Sequence, residues 1–377
     1  MKFVIDSKNF KNVASRALAV NGNQIYLNAD KKNNRLTVGS FRSFQEEESA
    51  ALVWTDANIV ESGKVCIDFD IIKKITKMKG MMTFTFEENS DDTMRVSSET
   101  KTVEFPAVKY EKFPISFRSG ELIATCERDS MMDIFNRMSC CLSTKKTRMA
   151  LTGYKLDGKN GGRIIACDNY KICMRHVDWG IPKDTNVIVP GFAPLEFNNV
   201  SKKSEKTQIW GDEKRLSFEG VAENVSFRYI VKKIEEVFPD LEKFFNKEEQ
   251  MGLEIDTKKL ASTLSEYKDM ITIVINGRNA YVVSLDAKFK TAEKITANTE
   301  SDIECVRTFN SKYLRSICEI HNEERTHVGI VGGKYPVWIF KGNGYLSVLL
   351  PVISTKETEE KDALEFVNNL EKSQKSS

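Results

Sequence analysis

Three stretches of the chain share one order of polar and apolar positions: a short alternating run, a polar capping residue, then apolar residues at helical spacing. The first opens with Phe3, Val4, Ile5 and Asp6, the second with Leu122, Ile123, Ala124 and Thr125, the third with Leu253, Glu254, Ile255 and Asp256. After the caps come Phe10, Val13, Ala14, Ala17 and Leu18 in the first, Met131, Ile134, Phe135, Met138, Cys141 and Leu142 in the second, and Leu260, Ala261 and Leu264 in the third. Each set falls on one stripe of a helix, so each stretch predicts a strand leading into an amphipathic helix. A second helix is predicted about half-way along each repeat. Asp68 opens one that runs to Lys79 and stops at Gly80, and Asn310 opens one carrying Leu314, Ile317 and Cys318. The middle copy is the irregular one: Val187, Ile188 and Val189 lead to Phe192, Leu195 and Val200, and Pro194 requires the helix to begin near it.

Between the helices lie runs with strand character, at Arg35–Val38, Thr83–Phe86, Arg163–Ala166, Val187–Val189, Thr272–Ile275, Tyr281–Leu285 and Tyr345–Leu350, separated by turn residues. Lys112-Phe113-Pro114 and Val237-Phe238-Pro239-Asp240 close the first two repeats alike. The fold class predicted is α+β, with three repeated domains, each of two helices packed on antiparallel sheets. The boundaries fall at 1–120, 121–249 and 250–353, followed by a tail at 354–377 in which Ala363, Leu364, Val367 and Leu370 lie at helical spacing. A length of 377 residues agrees with two or three domains at roughly 150 residues each.

Composition narrows the function. Lys and Arg number 56 against 54 Asp and Glu, so any affinity for nucleic acid must be local rather than spread over the surface. The basic residues recur on the helices: Lys8, Lys11 and Arg16 on the first, opposite its apolar stripe; Lys73, Lys74 and Lys77 on the second. Arg137, Lys145, Lys202 and Lys203 accompany the helices of the middle repeat, and Lys258, Lys259, Lys312 and Arg315 those of the last. For one helix this is an ordinary solvated face; repeated on all, it predicts a lining that follows phosphates without reading bases. Three scattered histidines (His176, His321, His327) and eight cysteines without a CxxC pair leave few catalytic or metal-ligating groups, so no catalytic residue, cofactor or metal is expected. The absence of an apolar run of ~20 residues and of a signal segment predicts a cytoplasmic protein away from membranes.

Several stretches resemble the bacterial β sliding clamp, the DNA polymerase III beta subunit and processivity factor, from Met1 to about Val352. Arg148-Met149-Ala150-Leu151-Thr152-Gly153 followed by Ile164-Ile165-Ala166-Cys167-Asp168-Asn169-Tyr170-Lys171-Ile172 is similar to the family's "RxxLxG … VATDGxRL". Val187 to Pro190, Phe238-Pro239-Asp240, Phe309 to Tyr313, and Tyr345 to Val352 follow in the family's order, the last resembling "YxxxxMPMRL". The resemblance implies a head-to-tail homodimeric ring around duplex DNA, with Val103 and Phe105 meeting Leu264 and Tyr267 of a second copy at the seam. It also implies a pocket for short peptides of replicative DNA polymerase, clamp loader and other clamp-binding proteins. That pocket is lined by Leu151, Cys167, Asn169, Tyr170, Lys171, Ile172, Pro239, Phe244, Asn310, Tyr313, Val348, Leu350, Pro351 and Val352, with Asn310 or Lys171 orienting the peptide backbone. The chain departs from the family at Cys167-Asp168-Asn169 in place of "TDG", at Lys171 in place of Arg, and at Ile353-Ser354 in place of "RL". The tail admits two readings, a docked or frayed helix or a cover over the pocket. Two other functions are weighed: a metal-dependent DNA-processing enzyme using Asp168 and Asp240, and a monomeric adaptor with the same fold.

Overall fold

The structure is a computed structural model of the chain and describes residues 1–87, 92–115, 120–285, 289–299, 303–332, 336–352 and 357–375. The expected boundary at 353/354 lies outside these residues. Two compact units result, one of residues 1–135, 156–162 and 178–236, the other of residues 136–155, 163–177 and 237–377.

In the first unit, strand Lys2–Asp6 ends at Asp6, whose carboxylate accepts the N–H of Lys8 and starts helix α1 (Ser7–Ala17). Phe10, Val13, Ala14 and Ala17 are fully buried, as their spacing predicts. Phe3 stacks on Phe84 of strand Met81–Glu87 with ring centroids 4.5 Å apart, and Phe10 lies 4.8 Å from the same ring. Helix α2 (Phe69–Ile75) follows strand Gly63–Asp68 and is capped by Asp68. It ends a turn before the expected Lys79, because the Lys77 and Met78 amides fold back on the Lys74 and Ile75 carbonyls. Gly80 then takes φ +80° and accepts the Ser7 amide. Helix α3 (Arg128–Met138) begins in this unit, its burial at Met131, Ile134, Phe135 and Met138 as expected.

Helix α4 (Ala193–Val200) places Pro194 in its first turn, where a missing N–H costs nothing. Its buried face is Ala193, Pro194, Phe197 and Val200; Leu195, expected on the stripe, is 72 % exposed because the proline fixes the start one residue before it. A nine-stranded antiparallel sheet carries α1 and α4 side by side. Its hairpin Arg35–Phe44/Glu47–Asp56 comes from the first repeat and its strands Val225–Lys232, Arg215–Ala222, Lys206–Gly211 and Glu121–Glu127 from the second; the two halves join where Val53 pairs with Phe227. The linker that leaves the first repeat is pinned by Phe113, packed with Leu52 against Ala50, Ile115 and Ile230. A five-stranded sheet completes the unit in the order Asn58–Glu61, Lys2–Asp6, Met81–Glu87, Thr93–Ser97, Thr102–Pro106.

The second unit repeats this plan. Strands Arg163–Cys167, Lys171–His176, Tyr345–Leu349, Val337–Gly342, Thr326–Val331, Met251–Ile255 and Ala297–Thr299 are hydrogen-bonded in that order. The middle and last repeats join where Ile172 pairs with Val348. The short helix α5 (Glu242–Phe245) packs beside strand Tyr345–Leu349. Helix α6 (Thr257–Leu264), capped by Asp256, lies against α7 (Ser311–His321), capped by Asn310. A four-stranded sheet runs Lys290–Ile295, Asn279–Leu285, Met270–Gly277, Ile303–Asn310. The tail forms α8 (Glu357–Lys375), and its apolar stripe lies on this sheet: Ala363 and Val367 share a buried cluster with Val274, Tyr281 and Val283. The tail is therefore docked, through its apolar stripe, on this sheet.

Among the described residues no helix is long and apolar enough to cross a membrane. The eight cysteines are free thiols, seven of them buried.

Candidate nucleic-acid interface and peptide pocket

Lys8 and Lys11 are exposed on α1, Lys73, Lys74 and Lys77 on and just after α2, and Lys202 and Lys203 after α4. Lys73 pairs with Asp70 at 3.0 Å and Lys203 with Glu223 at 2.9 Å. In the second unit Lys145, Lys258, Lys259, Lys312 and Arg315 are exposed, Arg315 paired with Glu319 at 2.8 Å. Lys8, Lys258, Lys259 and Lys312 all sit in the first turn of α1, α6 or α7, and none of those turns contains an acidic residue. Positive charge in a first turn is disfavoured by the helix dipole, by typically 0.3–1 kcal/mol, and in these helices it stands beside amides already held by the caps Asp6, Asp256 and Asn310.

Two expected contacts are corrected. Arg16 is only 4 % exposed: its guanidinium donates to the Val200 carbonyl at 2.8 Å and to the Asn12 side chain at 3.0 Å, satisfying an orphan carbonyl at the end of α4. Arg137 is half-buried and donates to the Ile320 carbonyl at 3.1 Å, doing the same for α7. Both lie on the polar side of their helices, but that side faces another helix end.

The residues expected to line a peptide pocket all belong to the second unit. A turn at Asp168 builds its centre: the carboxylate accepts the amides of Tyr170 and Lys171, both at 2.7 Å, and the Tyr170 carbonyl accepts the Leu350 amide at 3.0 Å. Tyr170, half-exposed, stacks on Tyr313 of α7 with centroids 5.3 Å apart. Ile172 and Val348, paired across the joint, form a buried floor beside these rings. Leu350 and Val352 are half-buried, and Val352 donates to the Thr308 carbonyl at 2.8 Å. Leu151, Cys167 and Pro351 are buried, whereas Asn169 and Pro239 are exposed. Phe244 is half-buried on α5, with the Lys243 and Lys247 ammonium groups 5.2 and 5.8 Å from its ring.

Of the two residues assigned to orient a peptide backbone, Lys171 is engaged within the fold and Asn310 through its side-chain oxygen. Lys171 is buried and donates to the Cys140 carbonyl at 2.6 Å and to Ser316 Oγ at 3.5 Å, its ammonium 4.7 Å from the Tyr313 ring. It braces the tyrosine from beneath. Asn310 Oδ1 accepts the amides of Lys312 and Tyr313, the cap of α7. Sequence reasoning missed Arg163, which is buried in its strand and ion-paired with Glu242, anchoring α5 and thereby Phe244. A basic residue inside an apolar strand, Arg163-Ile164-Ile165-Ala166-Cys167, was its one visible signal.

Asp168 and Asp240, weighed as a metal pair, have local roles: Asp240 accepts the Glu242 amide at 3.1 Å at the turn before α5, as Asp168 holds its own turn. Among the described residues no group of three or more His, Cys, Asp or Glu could hold a metal ion.

At the expected seam, Val103 is half-buried and Phe105 buried on Thr102–Pro106, the last strand of the five-stranded sheet. Leu264, however, is 1 % exposed inside the second unit and is core. Tyr267 is half-buried with its hydroxyl 3.5 Å from Thr291 Oγ1, and so points to Lys290–Ile295, an outermost strand that sequence reasoning passed over because no apolar alternation marks it.

Two joined sheets, paired helices and three repeated domains define the fold of the bacterial DNA polymerase sliding clamps. The Caulobacter crescentus DNA polymerase sliding clamp superposes with a TM-score of 0.81 at 15 % identity, covering 94 % of this chain and 100 % of that one. The Bacillus subtilis sliding clamp gives 0.81 at 15 % identity, covering 94 % and 99 %. In sequence, the chain is 22 % identical over 220 residues to the beta sliding clamp of Chlamydia muridarum, a match that spans 56 % of this chain and 57 % of that relative. No protein-family model matches the chain.

Proposed function

We propose that the protein is a DNA sliding clamp: a non-enzymatic homodimeric ring that encircles duplex DNA, slides along it and tethers a replicative polymerase. The observation that carries this reading is how the repeats are joined. The middle repeat uses one sheet edge to join the first repeat, at Val53 and Phe227, and another to join the last, at Ile172 and Val348. The five-stranded sheet of the first repeat is edged by Thr102–Pro106 and Asn58–Glu61, and the four-stranded sheet of the last by Lys290–Ile295 and Ile303–Asn310; Thr102–Pro106 and Lys290–Ile295 are the edges we assign to pairing. A chain with unlike open edges on its first and last repeats is suited to heterologous, head-to-tail pairing, which closes into a ring when the rotation allows. The first-turn lysines of α1, α6 and α7 supply sequence-independent phosphate contacts. Encirclement lets weak contacts suffice, which fits a net charge of only +2.

The groove around Tyr170, Tyr313, Phe244 and Leu350 is the proposed seat for short peptides of polymerase, clamp loader and other partners. Half-open aromatic rings over an apolar floor suit leucine or phenylalanine anchors. The protein needs no cofactor and is assigned to the cytoplasm.

Solution mass and retention on DNA test the ring together. We expect a dimer of the 42.9 kDa chain that persists on circular DNA and is lost from linear DNA through its ends. A monomer retained equally on both would overturn the ring in favour of the adaptor reading, and divalent-dependent cleavage would favour the enzyme.

A further inference from the structure

The four-stranded sheet of the second unit is covered on both faces, and α8 is its second cover. Strand Met270–Gly277 is buried at five consecutive residues, Ile271 to Ile275, where Met81–Glu87 in the first repeat alternates buried and half-open positions. Val274, Tyr281 and Val283 face α8 and share its buried cluster, with Leu285, Ala292 and Val306 packed around them. Polar contacts stitch both ends of the helix. Glu371 accepts from Asn276 at 3.0 Å, Asn279 at 2.8 Å and the Tyr281 hydroxyl at 2.9 Å. At the other end Glu360 accepts the Thr308 amide at 3.3 Å and lies 3.8 Å from Arg307.

The edge strand Lys290–Ile295 pairs along its length with Asn279–Leu285, but of its side chains only Ile295 is buried. Its residues alternate between two helices. Glu293 accepts from Thr263 of α6 at 2.9 Å, and Thr291 lies 3.5 Å from Tyr267 just beyond that helix; Ala292, on the opposite face, packs into the α8 cluster.

We propose that α8 is a clasp on this strand, holding it in the sheet in the conformation that edge pairing with a second copy requires, so that ring closure depends on α8 being docked. The link to closure rests on the ring reading above; the hold on the strand does not. Two full-length variants test it, Ala363→Asp combined with Val367→Asp, which undocks the helix, and Glu371→Ala, which keeps the apolar stripe and removes three hydrogen bonds. Amide hydrogen exchange over residues 290–295 should accelerate by ~10-fold or more in the double variant and by less in Glu371→Ala, with strands of the first unit unchanged. The double variant's dimer should dissociate at protein concentrations where the parent stays paired. Unchanged exchange at 290–295 in folded protein overturns the clasp, as does accelerated exchange with an unaltered dimer for its role in closure. Should the double variant fail to fold, Glu371→Ala decides by the same readings. A parent chain that is itself monomeric sinks the ring and the link to closure, while exchange at 290–295 still decides whether α8 holds the strand.

Discussion

His321 shows how much one side chain can depend on where the fold puts it. It ends α7, is fully buried, and lies 3.0 Å from both the Gly342 carbonyl and Ser347 Oγ. The carbonyl can only accept, so Nδ1 carries the proton and Nε2 accepts from Ser347. Burial pushes its pKa down to about 4, with the Gly342 carbonyl opposing weakly. The folded state therefore stays neutral while the unfolded chain takes up a proton below about pH 6.5, so stability is full above that value and declines as pH falls toward 4. The loss amounts to on the order of 3 kcal/mol at the bottom of that window. His321→Gln should be less stable than the parent at about pH 7.5 yet lose less on going to about pH 5, read from urea midpoints at each pH. Equal pH dependence in the two proteins would refute this account. From sequence, His321 was one of three scattered histidines, and nothing in its neighbours indicated that it would be buried.

At the scale of elements, the helices were legible because their signals are local. Asp6, Asp68, Asp256 and Asn310 each accept backbone amides at the helix start they mark, and the stripes after them are buried. What neighbouring elements do to a helix was not legible. Arg16 was read from its own helix as solvent-facing, but its partner at Val200 is 184 residues away in sequence. Arg16→Ala should therefore destabilise the protein by about 2 kcal/mol through an unsatisfied carbonyl at the end of α4, whereas Lys11→Ala, on the exposed side of the same helix, should stay within about 0.5 kcal/mol, both measured by urea unfolding. Comparable small effects would return Arg16 to the surface set. The double cover of the sheet under α8 did have a sequence signal, the β-branched run Ile271-Thr272-Ile273-Val274-Ile275, apolar at four of its five positions, which reads as a strand buried on both faces.

For the whole molecule, affinity for DNA is predicted to come from few, dispersed cations. Replacing Lys258 and Lys259 by Gln removes two of the first-turn lysines without touching a buried group. The plot of log affinity for duplex DNA against log salt should flatten by about 2, with no change in sequence preference. An unaltered slope would remove α6 from the DNA-facing surface.

The sequence by itself determined the repeat, the helix starts, most strands and the sign of the charge on each helix, because caps, periodicity and side-chain type act over a few residues. Only the tertiary structure decided which strands join repeats and which lie at sheet edges, that the Lys171 ammonium lies against the Tyr313 ring, and that α8 packs on the four-stranded sheet. Those outcomes depend on pairing between residues far apart in the chain, such as Val53 with Phe227 or Ile172 with Val348. An apolar residue in one segment is compatible with many such partners, and packing the whole chain selects among them.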